Sequence, residues 1–210
     1  MRNRWLLIVA TLFCLITAFT VRAETVKAPS ILVIGDSLSA EYGLRRDSGW
    51  VNLVQQRLQE SGFKHRIHNA SISGDTTSGG LSRFPAALER HKPAIVIIEL
   101  GSNDALRGLS LDMTRLNLEK MVDMALAQKA KVVLVGMQIP PNYGRQYTEA
   151  FKSLFTEIAA EHKTALVPFL LEGIATDRNM FQADGIHPNE TAQTILAMNV
   201  WKALEPMLKK

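Results

Sequence analysis

The chain has 210 residues, 47% of them hydrophobic, with a formal charge of +4 and one cysteine. That length suits one α/β domain with a substantial core, and a lone cysteine excludes an internal disulfide and a Cys-based metal cluster. The first 23 residues have another character: Arg2 and Arg4 form a basic start, residues 5–21 carry no charge, and Val21-Arg22-Ala23 resembles a signal-peptidase site. The pattern predicts a signal peptide over 1–23, in preference to a retained membrane anchor, and one domain over 24–210, periplasmic or secreted. Leu12-Phe13 before Cys14 lacks the small residue that a lipoprotein site wants, so no lipid anchor is expected. Cleavage removes Arg2, Arg4 and Arg22 but no acid, which lowers the formal charge to +1. The basic balance is then poor evidence for a nucleic-acid partner. Cleavage also removes Cys14, leaving no thiol nucleophile.

After the leader, Ile31-Leu32-Val33-Ile34 reads as a buried parallel strand running into Gly35-Asp36-Ser37-Leu38-Ser39. Ligands bind at the carboxyl ends of strands in open α/β sheets, so Ser37 is a candidate nucleophile. On this stretch alone it is equally a helix cap. Trp50, Val51, Leu53, Val54 and Leu58 recur at helical spacing, with Gly62 placed to end that helix. Arg66 to Asn69 is a weaker strand. Leu81, Phe84 and Leu88 mark a second helix, capped by Thr77 or Ser78.

The strongest strand spans 94–100 and ends in Gly101-Ser102-Asn103-Asp104. A loop over 105–110 then leads to a helix over about 112–129. Val132-Val133-Leu134-Val135 is a fourth strand, followed by the loop Pro140-Pro141-Asn142-Tyr143-Gly144. Phe151, Leu154, Phe155 and Ile158 mark another helix, and Ala165-Leu166-Val167 a fifth strand. The last helix is predicted to start at Pro188, a residue favoured in a first turn. Strands alternating with helices imply a single doubly wound domain with right-handed crossovers.

Four loops therefore gather at one sheet edge, bringing Ser37, Gly74, Asn103 and the segment Asp184-Gly185-Ile186-His187-Pro188 within reach of one another. A serine needs a base to become nucleophilic. Of the five histidines, His65, His68, His91 and His162 read as solvated or structural. His187 has a carboxylate, Asp184, three residues earlier that can fix its tautomer and stabilise the imidazolium. The N–H groups of Ser37 and Gly74 and the amide of Asn103 could stabilise an oxyanion. Each feature alone also fits a plain turn or cap; their joint occurrence at strand ends is what points to chemistry.

Gly35-Asp36-Ser37-Leu38-Ser39, Gly74, Gly101-Ser102-Asn103-Asp104 and Asp184-Gly185-Ile186-His187-Pro188 together resemble the GDSL or SGNH hydrolase superfamily. Asn69-Ala70-Ser71-Ile72-Ser73-Gly74-Asp75 and Gln138-Ile139-Pro140-Pro141-Asn142-Tyr143-Gly144 resemble its bacterial periplasmic thioesterase I, protease I and lysophospholipase group. The resemblance covers nearly the whole mature chain. It implies a flavodoxin-like three-layer α/β/α sandwich with a mainly parallel five-stranded sheet. It also implies an esterase of broad acyl range, with Ser37, Asp184 and His187 as catalytic residues and Ser37, Gly74 and Asn103 as the oxyanion hole.

G-D-S-L-S is not the G-x-S-x-G elbow of α/β-hydrolases, and no P-loop, G-x-G-x-x-G or H-E-x-x-H occurs. Two apolar loops border the expected site, and Leu106, Leu109, Ile139 and Tyr143 are candidates to bind an acyl chain; equally, they could cover the core. Asp36 and Asp104 read as loop-holding residues and not as a glycosidase pair. The expected partners are small acyl ester or thioester substrates, and the chain is expected to be a monomer, without metal, organic cofactor, nucleic acid or a stable membrane anchor. A carbohydrate O-acetylesterase and a non-catalytic binding module on the same fold are the competing readings.

Overall fold

The computed structural model describes residues 28–208. The expected leader over 1–23 lies outside the described residues. Five strands, β1 (Ser30–Gly35), β2 (Arg66–Asn69), β3 (Ile95–Glu99), β4 (Lys131–Val135) and β5 (Ala165–Val167), form one sheet in the order β2-β1-β3-β4-β5. Every neighbouring pair is parallel, and Ile31 of β1 registers with Ile67 of β2 and Ile95 of β3. β1 and β3 are central and wholly buried, which is why they are continuous apolar runs. β2 is an edge strand with exposed ends, so it tolerates Arg66 and Asn69.

The helices are α1 (Trp50–Glu60), α2 (Thr77–His91), α3 (Ser102–Leu106), α4 (Leu111–Ala127), α5 (Arg145–His162) and α6 (Gln193–Leu204). α1 packs on α6, while α2 packs on α4 and α4 on α5. With right-handed crossovers this strand order puts α1 and α6 on one face of the sheet and α2, α4 and α5 on the other. The result is the three-layer α/β/α sandwich. Among the described residues, no helix is long and apolar enough to cross a membrane.

Three local expectations need correction. The cap of α2 is Thr76, whose hydroxyl accepts from the Gly79 N–H, and not Thr77 or Ser78. Thr77 is buried and donates both its N–H and its hydroxyl to Asp104, at 2.8 and 2.5 Å. The loop after β3 contains the short helix α3, which Gly101 enters with φ of 118°, a conformation open to glycine. The last helix starts at Gln193, not at Pro188. Residues around Pro188 are extended, bridge antiparallel to Phe181, and are held by an Asn189 N–H bond to the Met180 carbonyl.

Candidate active site

β1 ends where space is tightest. A Cβ on Gly35 would stand 2.8 Å from Ser39 Oγ and 2.9 Å from Glu99 Oε2, so only glycine lets the strand run this close to β3. The chain then turns, with the Ser39 and Ala40 N–H groups donating to the Asp36 carbonyl. Asp36 points inward, where its carboxylate accepts from the Leu38 N–H at 3.0 Å and from Asn103 Nδ2 at 2.9 Å. Ser37 points outward.

His187 arrives from the segment before α6. Its Nε2 lies 3.0 Å from Ser37 Oγ, and its Nδ1 lies 2.7 Å from Asp184 Oδ2. The other oxygen, Asp184 Oδ1, accepts from the Ile186 and His187 N–H groups at 2.9 and 3.0 Å. Gly185 permits this tight turn with φ of 66°. Partial burial raises the Asp184 carboxyl, but the bonds from those two N–H groups and the imidazole outweigh it and bring the pKa down to about 2. Asp184 is therefore a carboxylate throughout the neutral range, with one oxygen committed to the backbone and one to the imidazole.

Facing Ser37 is the loop after β2. Gly74 has φ of 79°, and Arg107 Nη2 holds its carbonyl at 2.9 Å. The N–H groups of Ser37 and Gly74 donate to no acceptor among the described residues. Arg83 fastens the same loop, with an ion pair to Asp75 at 2.7 Å and bonds to the Ala70 and Gly35 carbonyls. Asn103 reaches the expected place with particular partners: Nδ2 donates to Asp36 and also to the Asp75 carbonyl, each at 2.9 Å.

The four acyl-chain candidates separate. Leu109 and Tyr143 are exposed and line an open cavity of about 670 Å³. Leu106 is half-buried, and its carbonyl accepts from the Tyr143 hydroxyl at 3.1 Å, tying the two loops together. Ile139 is packed in the core at 9% exposure, so it anchors its loop and offers no exposed surface to an acyl chain. Neither Ser37 nor His187 lines that cavity. Asp104 does hold its loop, through Thr77 and, at 3.4 Å, Thr114. The one grouping of described residues with metal-ligand spacing, Glu119, Glu161 and His162, is on α4 and α5, and Arg115 already pairs with both glutamates.

Sequence reasoning missed Glu99, which is wholly buried beneath the Ser37 turn. Its Oε2 accepts from the Ser39 hydroxyl at 2.7 Å and the Asp36 N–H at 3.3 Å, while Oε1 has no hydrogen-bond partner among the described residues. Burial, and then the charge of Asp36, push the Glu99 carboxyl well above the usual range, which favours its protonated, neutral form. Burial also pushes Asp36 up, to about 6, against the pull of the Leu38 N–H, Glu99, His187 and Asn103. The signal was one acidic residue inside an apolar run.

The pair makes stability depend on pH. Both carboxyls bind protons more tightly in the native chain than in the unfolded one. The stability they contribute is present below the ordinary carboxylate range and is lost as pH rises above it; for Asp36 the loss is complete once pH has passed about 6 and is on the order of 2–3 kcal/mol. Glu99→Gln keeps an acceptor for Ser39 and Asp36 without a charge. It should raise the urea midpoint at about pH 8 and flatten the decline between about pH 4 and pH 7. A variant less stable than wild type at pH 8 would instead mean that Glu99 is ionised and paired.

Comparisons with known proteins give the family and the fold. The model of the GDSL-like lipase/acylhydrolase family matches residues 33–195. The chain belongs to that family. GDSL-like relatives include esterase TesA of Pseudomonas aeruginosa, 51% identical over 191 residues, which are 91% of this chain and 95% of the relative. Thioesterase 1/protease 1/lysophospholipase L1 of Escherichia coli K12 is 38% identical, covering 93% and 92%. Among solved structures, the psychrotrophic esterase EstA from Pseudoalteromonas sp., inhibited by monoethylphosphonate, superimposes with a TM-score of 0.80 at 38% identity, covering 84% of this chain and 97% of EstA. The chain is thus an enzyme, a GDSL-like acyl hydrolase with the fold of these esterases.

Proposed function

We propose that the chain is an exported serine esterase, folded as one domain over 24–210, that hydrolyses carboxylic esters and thioesters. The observation that carries this reading is the line Ser37 Oγ, His187 Nε2, Asp184 Oδ2, at 3.0 and 2.7 Å. In acylation Ser37 Oγ bonds to the acyl carbon while its proton passes to His187 Nε2. The carbonyl oxygen becomes an oxyanion facing the free N–H groups of Ser37 and Gly74. Asn103 Nδ2 adds a third donor once its bond to the Asp75 carbonyl yields. The bond to the alcohol or thiol then breaks, and His187 gives that group the proton. Water, deprotonated by His187, releases the acid and regenerates Ser37. This machinery needs neither metal nor organic cofactor, and it suits a monomer.

Leu109 and Tyr143 favour an apolar acyl chain lying toward α4 and α5. Rates on ethyl esters and CoA thioesters from acetyl to palmitoyl test this reading. We expect hydrolysis of both classes with a maximum at medium or long chains, displaced toward shorter chains in Leu109→Ala. A maximum at acetyl would favour an O-acetylesterase, and no hydrolysis at all a binding module.

A further inference from the structure

The Tyr42 ring lies against His187, and the mechanism gives it no task. It sits in the turn between β1 and α1, half exposed at 50%. Its ring centroid lies 4.4 Å from that of His187, with the planes tilted by 38°. Its hydroxyl has no hydrogen-bond partner among the described residues, so nothing polar at its tip explains its position. The backbone does: the Gln182 side-chain amide donates to the Tyr42 carbonyl at 2.8 Å. A Cβ on Gly43 would overlap Gln182, and Gly43, with φ of 68°, leaves that space. The Tyr42 loop is thus clasped to the segment that carries His187.

The layer arrangement says which part of a substrate meets this ring. The loops with Leu109 and Tyr143 lead into α4 and α5, on one face of the sheet. The Tyr42 loop leads into α1, and the His187 segment into α6, on the other. An acyl carbon bonded to Ser37 Oγ, with its oxygen toward the Ser37 and Gly74 N–H groups, has two substituents left. They diverge toward opposite lips. The leaving oxygen must take its proton from His187 Nε2, so the leaving group lies on the lip of His187 and Tyr42. The acyl chain then takes the lip of Leu109 and Tyr143.

Resting on the serine-esterase reading, we propose that Tyr42 is the wall of the leaving-group subsite and the residue that decides between flat, aromatic and aliphatic leaving groups. The departing phenol oxygen accepts the His187 proton while its ring packs against the exposed face of Tyr42. Offset or edge-to-face contact between such rings is favourable beyond the area it buries. An aliphatic alcohol at the same place makes a smaller, less directed contact.

The test compares kcat/KM for phenyl and ethyl esters of one acid in wild type, Tyr42→Phe, Tyr42→Leu and Tyr42→Ala. The intrinsic reactivity of the two esters is common to all four proteins, so the change in their ratio isolates the enzyme's contribution. The phenyl-to-ethyl ratio should fall about five- to tenfold in Tyr42→Leu and Tyr42→Ala and hold in Tyr42→Phe, with the loss mainly in KM. Equal losses on both esters in the Leu and Ala variants would overturn the proposal, leaving Tyr42 a residue that only steadies His187. A wild type that hydrolyses neither ester overturns the serine-esterase reading, and this inference with it.

Discussion

Replacing Ser37 with alanine should lower kcat on every ester and thioester by at least about 10⁴-fold while leaving the melting temperature close to that of the wild type. The size follows from what is lost: among the described residues, Ser37 Oγ is the one hydrogen-bond partner of His187 Nε2. The harmlessness to the fold follows from what Ser37 touches. It lies outside β1, and its hydroxyl has one partner, His187. The N–H that faces the oxyanion stays in place. The turn is held by Asp36, Ser39 and Glu99 and not by Ser37. An activated alkylphosphonate that phosphonylates Ser37 in the wild type should leave the variant unmodified, as intact mass would show. A variant that keeps a tenth of the wild-type rate would mean that water attacks directly and that Ser37 is a cap after all.

Asp184→Asn should be nearly as severe, costing about 10⁴-fold in kcat, although it changes one atom. The Ile186 and His187 N–H groups both point at Asp184 Oδ1. An asparagine must place its oxygen there to satisfy them, and so its NH₂ faces His187 Nδ1. Donor against donor turns the imidazole to the tautomer with its hydrogen on Nε2, which then donates to Ser37 and cannot take its proton. Because the carboxyl titrates near pH 2, any acid limb of the wild-type profile above about pH 4 belongs to another group. The measurement is kcat together with the rate of phosphonate modification. Both should fall in parallel; modification at the wild-type rate would assign Asp184 a role after acylation only.

Much of this arrangement was legible because the physics behind it is local. A buried central strand such as β3 has little choice but to be apolar throughout, and the polar residues at its carboxyl end then stand out. Asp184 and His187 were readable as a unit since three residues of chain confine them to one turn. The misreadings have an equally physical origin. Pro188 suits a helix start by its own geometry, but Pro188 is drawn into an antiparallel bridge with Phe181, and a turn over 190–192 delays the helix to Gln193. Thr77 is a good cap by type, yet Asp104 takes both its donors. Glu99 and Tyr42 were invisible for a third reason: their partners lie 60 and 145 residues away, and no periodicity encodes a contact at that range.

The turn from Asp184 to His187 also bears on how such a catalyst fails. The proposed base, His187, and its orienting acid, Asp184, are wired to each other by neighbouring amides, so they travel together as a cassette. The tertiary fold has to guarantee only a single alignment, that of the cassette with a serine 150 residues away. Loosening of the segment before α6 breaks that alignment while sheet and helices remain whole. Inactivation on heating should therefore precede global melting, and a ligand spanning both lips of the cleft should protect against it more than one lodged on the acyl lip alone.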